Sequence, residues 1–130
     1  MGFGEQIKSA DWKGEKHVPV IDAPGTVTAG EAFDVTVTVG KEIPHPNTTE
    51  HFIAWIDLYF RPEKGAFIHH VGRATFQAHG ESAKGPNQGP VYADPKAVFS
   101  LKIDGPGTLI ATSYCNVHGV WESEAPVAVG

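Results

Sequence analysis

The chain has 130 residues, of which 41% are hydrophobic and 19% charged, so it is long enough for one cored domain, too short for two ordinary ones and too apolar to be disordered. A formal net charge of −5 and the lack of any basic run argue against nucleic acid as a partner. One cysteine excludes an internal disulfide, the first residues lack an apolar signal core, and no run approaches the roughly 20 apolar residues of a membrane span; a single domain over 1–130 in the reducing cytoplasm is expected.

A short turn is expected around residues 5–10. Residues 18–21, with Val27, read as a first strand near a sheet edge, where Pro19 and Pro24 are tolerated. The run 33–39 alternates apolar odd positions with polar even ones, the mark of a strand with one buried face. Residues 52–60 form a longer, more fully apolar strand, and 66–76, 97–103, 108–114 and 120–129 read as further strands. The stretch 78–90 is a loop, with Gly85, Pro86, Gly89 and Pro90. No segment keeps a 3.6-residue apolar repeat. About seven strands with frequent Gly and Pro turns imply an all-β, immunoglobulin-like β-sandwich without the antibody disulfide.

Cys115 and His118 stand three apart at the end of a strand, followed by Gly119. A strand ending in Cys, a tight turn and then His can place both side chains on one metal, although a free buried Cys is common on its own. His45 lies between Pro44 and Pro46, which stiffen the backbone around it and suit a preorganised ligand. His51 opens the most hydrophobic strand and is expected at the end of the sandwich, and His17 lies in Glu15-Lys16-His17-Val18-Pro19. His69 and His70 are adjacent in a strand and face opposite ways, so at most one reaches any given site. His79 begins the long loop and reads as a surface or hydrogen-bonded structural histidine.

One thiolate and four imidazoles are more donors than a four-coordinate structural zinc needs. Blue copper also uses Cys and His on a β-sandwich, commonly with an axial Met, but the only methionine is the terminal Met1. Iron accepts four imidazoles in a plane with a thiolate on the axis, and that thiolate pushes electron density toward the remaining open position. The residues alone therefore favour redox iron and leave a cupredoxin-like electron-transfer protein as the alternative.

The segments Glu15-Lys16-His17-Val18-Pro19, His45 to His51 and Cys115-Asn116-Val117-His118, in that order, resemble the superoxide reductases, in particular the single-iron neelaredoxin type. The likeness covers nearly the whole chain, including Ala78-His79-Gly80-Glu81-Ser82 and Gly85-Pro86-Asn87. The longer desulfoferrodoxin type carries an extra N-terminal domain with four cysteines for a second iron, and this chain lacks both. The resemblance implies one Fe2+/Fe3+ centre with His17, His45, His51 and His118 as imidazole ligands and Cys115 as axial thiolate. It implies that Glu15 can take the sixth position in the oxidised state and that Lys16 is the cation beside the open face, drawing in superoxide and orienting water for proton delivery. The implied reaction is superoxide plus one electron and two protons giving hydrogen peroxide. The implied partners are superoxide, rubredoxin or a similar small electron donor, and further copies of the chain in a homotetramer.

Overall fold

In a computed structural model of the chain, the structure describes residues 2–130. A 3-10 turn spans Phe3–Gln6, and eight strands follow among the described residues: β1 (Pro19–Asp22), β2 (Thr26–Val27), β3 (Phe33–Val39), β4 (Ile53–Pro62), β5 (His69–Thr75), β6 (Lys96–Leu101), β7 (Gly107–Cys115) and β8 (Gly119–Val129). They form a three-stranded sheet in the order β1-β3-β6 and a five-stranded sheet in the order β2-β8-β7-β4-β5. All pairings are antiparallel except that of β2 with β8. This is the expected all-β sandwich, with one strand more than anticipated. The extra strand comes from the expected first one: residues 19–22 pair with β3, whereas Val27 lies in β2 and pairs in the other sheet. The chain crosses between the sheets at Ala23-Pro24-Gly25, where proline costs no ladder bond. The expected turn near 5–10 lies earlier, at Phe3–Gln6. No helix among the described residues is long and apolar enough to cross a membrane.

Alternation builds the core. Val35, Val37 and Val39 of β3 are buried while Asp34 is exposed. They meet Ile56, Leu58 and Phe60 of β4 and Leu109 and Ala111 of β7 in one apolar cluster that also holds Cys115. On β7 the inward positions run Leu109, Ala111, Ser113, Cys115, so period two alone carries the thiol to the interior end of the sandwich. β4 breaks its own alternation. A bulge between Ile53 and Trp55 lets Ile53 face inward opposite Cys115 while Ile56, Leu58 and Phe60 also face inward. The bulge lies two residues after His51, so the strand reaches the Cys115 end of the sandwich with its inward face reset.

Candidate metal centre

Three stretches of chain meet at this end of the sandwich. His17 immediately precedes β1, and its carbonyl accepts a bond from the inward Ser113 hydroxyl (3.2 Å). His45 and His51 lie in the connection between β3 and β4. Gly40, with φ 82°, runs so close beneath that connection that a Cβ would stand 2.6 Å from the His45 backbone nitrogen. Only glycine meets both demands. Cys115 ends β7, and His118 sits in the three-residue hairpin loop closed by Gly119 at φ 86°. That loop folds back on the sulfur: the His118 backbone N–H donates to Cys115 Sγ at 3.4 Å.

The imidazoles form a belt. Ring centroids are 4.8 Å apart for His17–His45, 4.8 Å for His45–His51, 5.1 Å for His51–His118 and 4.6 Å for His118–His17, with a 6.4 Å diagonal between His17 and His51. One donor atom from each of His17, His45, His51 and Cys115 lies within 4.8 Å of the others. His118 Nδ1 is 3.1 Å from His17 Nε2 and 3.8 Å from Cys115 Sγ. The belt grades from the buried His17, His45 and Cys115 to the exposed His118.

Hydrogen bonds behind the belt set the tautomers. His45 Nδ1 donates to the Pro46 carbonyl (2.6 Å), and His17 Nδ1 donates to Glu15 Oε1 (2.6 Å). Carbonyl and carboxylate oxygens only accept, so both rings turn an Nε2 lone pair toward the cluster. His45 Nε2 and His51 Nε2 are buried there without a hydrogen-bond partner. Two orphaned buried nitrogens beside a buried thiol and two more ring nitrogens carry a desolvation cost that a bound cation removes. The donor set fits a metal ion.

The electrostatics favour the neutral form of the His45 and His51 rings, the form a ligand needs. Burial pushes the His45 imidazole down to about 4; the bond to Pro46 opposes the shift, and charge on His17, His51 and Lys16 adds to it. Burial also lowers His51, helped by charge on His118, His17 and Lys16. Burial pushes the Glu15 carboxyl up, but bonds from the His17 ring and backbone N–H, with the charges of His17 and Lys16, hold it below its ordinary range. The charge of the half-buried Lys16 thus contributes at Glu15, His45 and His51.

The structure brings together His17, His45, His51, Cys115 and His118. Glu15 lies behind His17, bonded to the ring nitrogen that faces away from the belt, so it can reach the centre only by releasing that bond. His69 and His70 lie elsewhere on β5, and His79 is a buried, hydrogen-bonded histidine. Two residues escaped the sequence reading. Asn116 takes the Phe52 N–H on Oδ1 (2.8 Å) and donates from Nδ2 to the Glu50 carbonyl (2.9 Å), tying the Cys115 turn to the His51 stretch. Trp121 stacks on His17 at 5.1 Å and donates to the His118 carbonyl (3.2 Å).

A β-sandwich that closes one end with an imidazole belt over a buried thiol has the donor set of a metal-binding protein. The desulfoferrodoxin family model matches residues 9–124, and the chain belongs to that family. It is 55% identical over 129 residues to the neelaredoxin of Megalodesulfovibrio gigas, covering 99% of both chains. It is 58% identical over 122 residues to the superoxide reductase of Pyrococcus furiosus, covering 94% of this chain and 96% of that one. The solved superoxide reductase (neelaredoxin) of Archaeoglobus fulgidus in its reduced form superposes with a TM-score of 0.88 at 55% identity, covering 95% of this chain and 98% of that one.

Proposed function

We propose that the chain is a superoxide reductase, with residues 1–130 forming one iron-binding domain. The observation that carries this reading is the belt of four imidazoles over the buried Cys115 thiol, two of whose Nε2 atoms have no partner in the protein. His17, His45, His51, His118 and Cys115 would hold the iron. When bound, the iron supplies one electron to superoxide and is re-reduced by an external donor.

The remaining work belongs to the chain. Glu15 and the Pro46 carbonyl hold the His17 and His45 rings in the tautomer that offers Nε2. The His118 N–H at Cys115 Sγ withdraws charge from the thiolate and tunes its donor strength. Lys16 attracts the anion and orients the water that delivers protons, and the exposed side of His118 leaves the approach open. Glu15 would be a further residue to hold the oxidised iron, and would have to release His17 Nδ1 to do so. Rubredoxin or a similar small carrier is the proposed electron donor, docking at this exposed face, and the reducing cytoplasm is the compartment that keeps a lone thiolate available. Assembly into a homotetramer is proposed from the family likeness, with the exposed Phe3 and Phe67 as apolar groups that a subunit contact could cover.

Metal analysis with anaerobic stoichiometry tests the reading. One iron per chain and about one peroxide per superoxide without dioxygen follow from the one-electron, two-proton reaction. Half that peroxide, with dioxygen, marks a dismutase, and one copper with an intense blue band marks an electron carrier.

A further inference from the structure

His51 is carried by residues 40–52, which form neither helix nor strand, yet its Nε2 is held in the cluster without a partner. A local turn gives part of the hold: Thr48 N donates to the His51 carbonyl (2.9 Å), and His51 N donates to Thr48 Oγ1 (3.2 Å). That turn is then gripped from two sides. Asn116, next to Cys115, holds one. The other grip comes from residues 78–93, which contribute none of the five donor side chains. There Asn87 Oδ1 accepts the Thr49 N–H (2.8 Å), and Nδ2 donates to both carboxylate oxygens of Glu50 (2.9 and 3.0 Å).

The 78–93 segment is built to present that amide. Asn87 has φ 61° and is the one non-glycine residue with positive φ among the described residues, a conformation that Asn tolerates better than most side chains. The Tyr92 hydroxyl donates to the Asn87 carbonyl (2.9 Å), and the Tyr92 ring lies so close over Gly80 that no Cβ fits there. Gly80 N donates to Val91 O (2.9 Å), Gln88 N to Gly80 O (3.2 Å) and Ala93 N to Ala78 O (2.7 Å), closing the segment on itself. At its base the buried His79 ring stacks on Phe52 at 3.8 Å, with Nδ1 3.0 Å from Asn47 Oδ1. Val91 and Tyr92 remain exposed, so these bulky side chains do not serve the core.

We propose that Asn87 is a positioning residue for the metal centre: its side-chain amide fixes the 48–51 turn and thereby the place of His51 Nε2. This rests on the metal-centre reading above. Groups bonded directly to ligand residues change metal affinity by roughly 10–100-fold, and Asn87 acts one residue further out, through Thr49 and Glu50, so the low end of that range is the expectation.

Asn87→Gly tests the role, because glycine keeps the left-handed backbone and removes only the amide. Wild type and variant are loaded anaerobically with Fe2+, challenged with a colorimetric ferrous chelator, and melted with and without metal. The expected result is a metal-free melting point close to wild type, Fe2+ affinity weakened roughly tenfold or more, and a shifted thiolate-to-metal absorption band after oxidation. Asn87→Asp sets two carboxylates face to face and should lose Fe2+ similarly. Adding Glu50→Gln restores a donor opposite an acceptor and should recover wild-type retention, a rescue that also serves if the glycine variant fails to fold. Unchanged Fe2+ affinity in Asn87→Gly, or no recovery in the double variant, overturns the positioning role. A wild type that binds no iron overturns the metal-centre reading instead.

Discussion

The Asp57 carboxylate in the five-stranded sheet and the imidazole belt at its end meet burial in opposite ways. In mid-sheet, the Asp57 carboxylate is 2% exposed and has a partner on every side. Arg73 donates to it from Nε and Nη2 (both 2.7 Å), Tyr59 from its hydroxyl (3.2 Å) and His70 from Nε2 (3.3 Å). At the end of the sandwich, His45 and His51 each turn a buried Nε2 toward the cluster with no hydrogen-bond partner in the protein. A satisfied buried cluster is explained by the fold that contains it; convergent unsatisfied donors call for something from outside the chain. The same sandwich thus holds one polar cluster that is structural and one that is a binding site.

The sharpest way to break this comparison is to remove the thiolate. In Cys115→Ala the thiolate-to-metal absorption band should vanish and superoxide reduction should be abolished, while the metal-free fold loses only about 1 kcal/mol, an ordinary cost for a small buried side chain. Spectra of the loaded protein and pulse-radiolysis rates check it. A variant that keeps the band would place the sulfur outside the centre.

Next in size is the structural cluster. Burial pushes the Asp57 carboxyl up, but the bonds and charge of Arg73, with those of His70, hold it below its ordinary range. Arg73→Leu leaves that buried carboxylate without its main partner. Breaking a buried pair costs about 3–5 kcal/mol, and the low end applies because the Arg73 side chain is 47% exposed. Urea unfolding should show that loss equally with and without metal, and chelator competition should show unchanged Fe2+ affinity. A change in Fe2+ affinity would couple the two clusters and dissolve the distinction.

The two clusters were legible in the sequence to different depths. Cys115, His118, His45, His51 and His17 could be singled out because metal-ligating residue types are few and their local contexts are informative. The alternation of 33–39 likewise gave β3 its buried face, because period two is a local property. What lay beyond reach depends on register. The bulge at Ile53/Trp55 resets the inward face of β4, and the direct pairing of Asp57 with Arg73 appears only once β4 and β5 are aligned. Residues 19–22 and Val27 read as one strand because nothing local shows that β2 joins the other sheet. The partners behind the belt were hidden for the same reason: the hydrogen bonds of Asn116 span 64 and 66 positions.

The clusters should also part company on acidification. His45 is held near 4 in the fold against 6.5 when free, so between these values the unfolded chain binds more protons than the folded one. Stability of the metal-free protein therefore rises with pH across that window and flattens above it, a swing on the order of 2–3 kcal/mol. The lowered pKa of His51 acts in the same direction. The lowered pKa of Asp57 adds a further loss only as pH falls from its ordinary 3.8 through its folded value. Urea midpoints at steps from pH 7 to pH 3 should resolve two phases, the upper one diminished in His45→Gln and removed only when His51 is replaced as well. A single phase below 4 would mean that the belt imidazoles charge freely in the fold.

The smallest effect concerns the approach to the centre. The protein as a whole repels an anion, with a formal charge of −5, so any attraction has to come from a charge close to the belt. Lys16 is that charge, since its ammonium helps to lower Glu15, His45 and His51 together. One unit charge at about 4 Å in water contributes about 1 kcal/mol, so Lys16→Ala should slow second-order superoxide capture about fivefold at low salt. Salt supplies the decisive sign. In the wild type, screening of Lys16 should make the rate fall as ionic strength rises. In the variant only the net negative field remains, and screening it should make the rate rise. Opposite slopes assign the steering to Lys16, whereas equal rates with parallel slopes would leave it an ordinary solvated lysine.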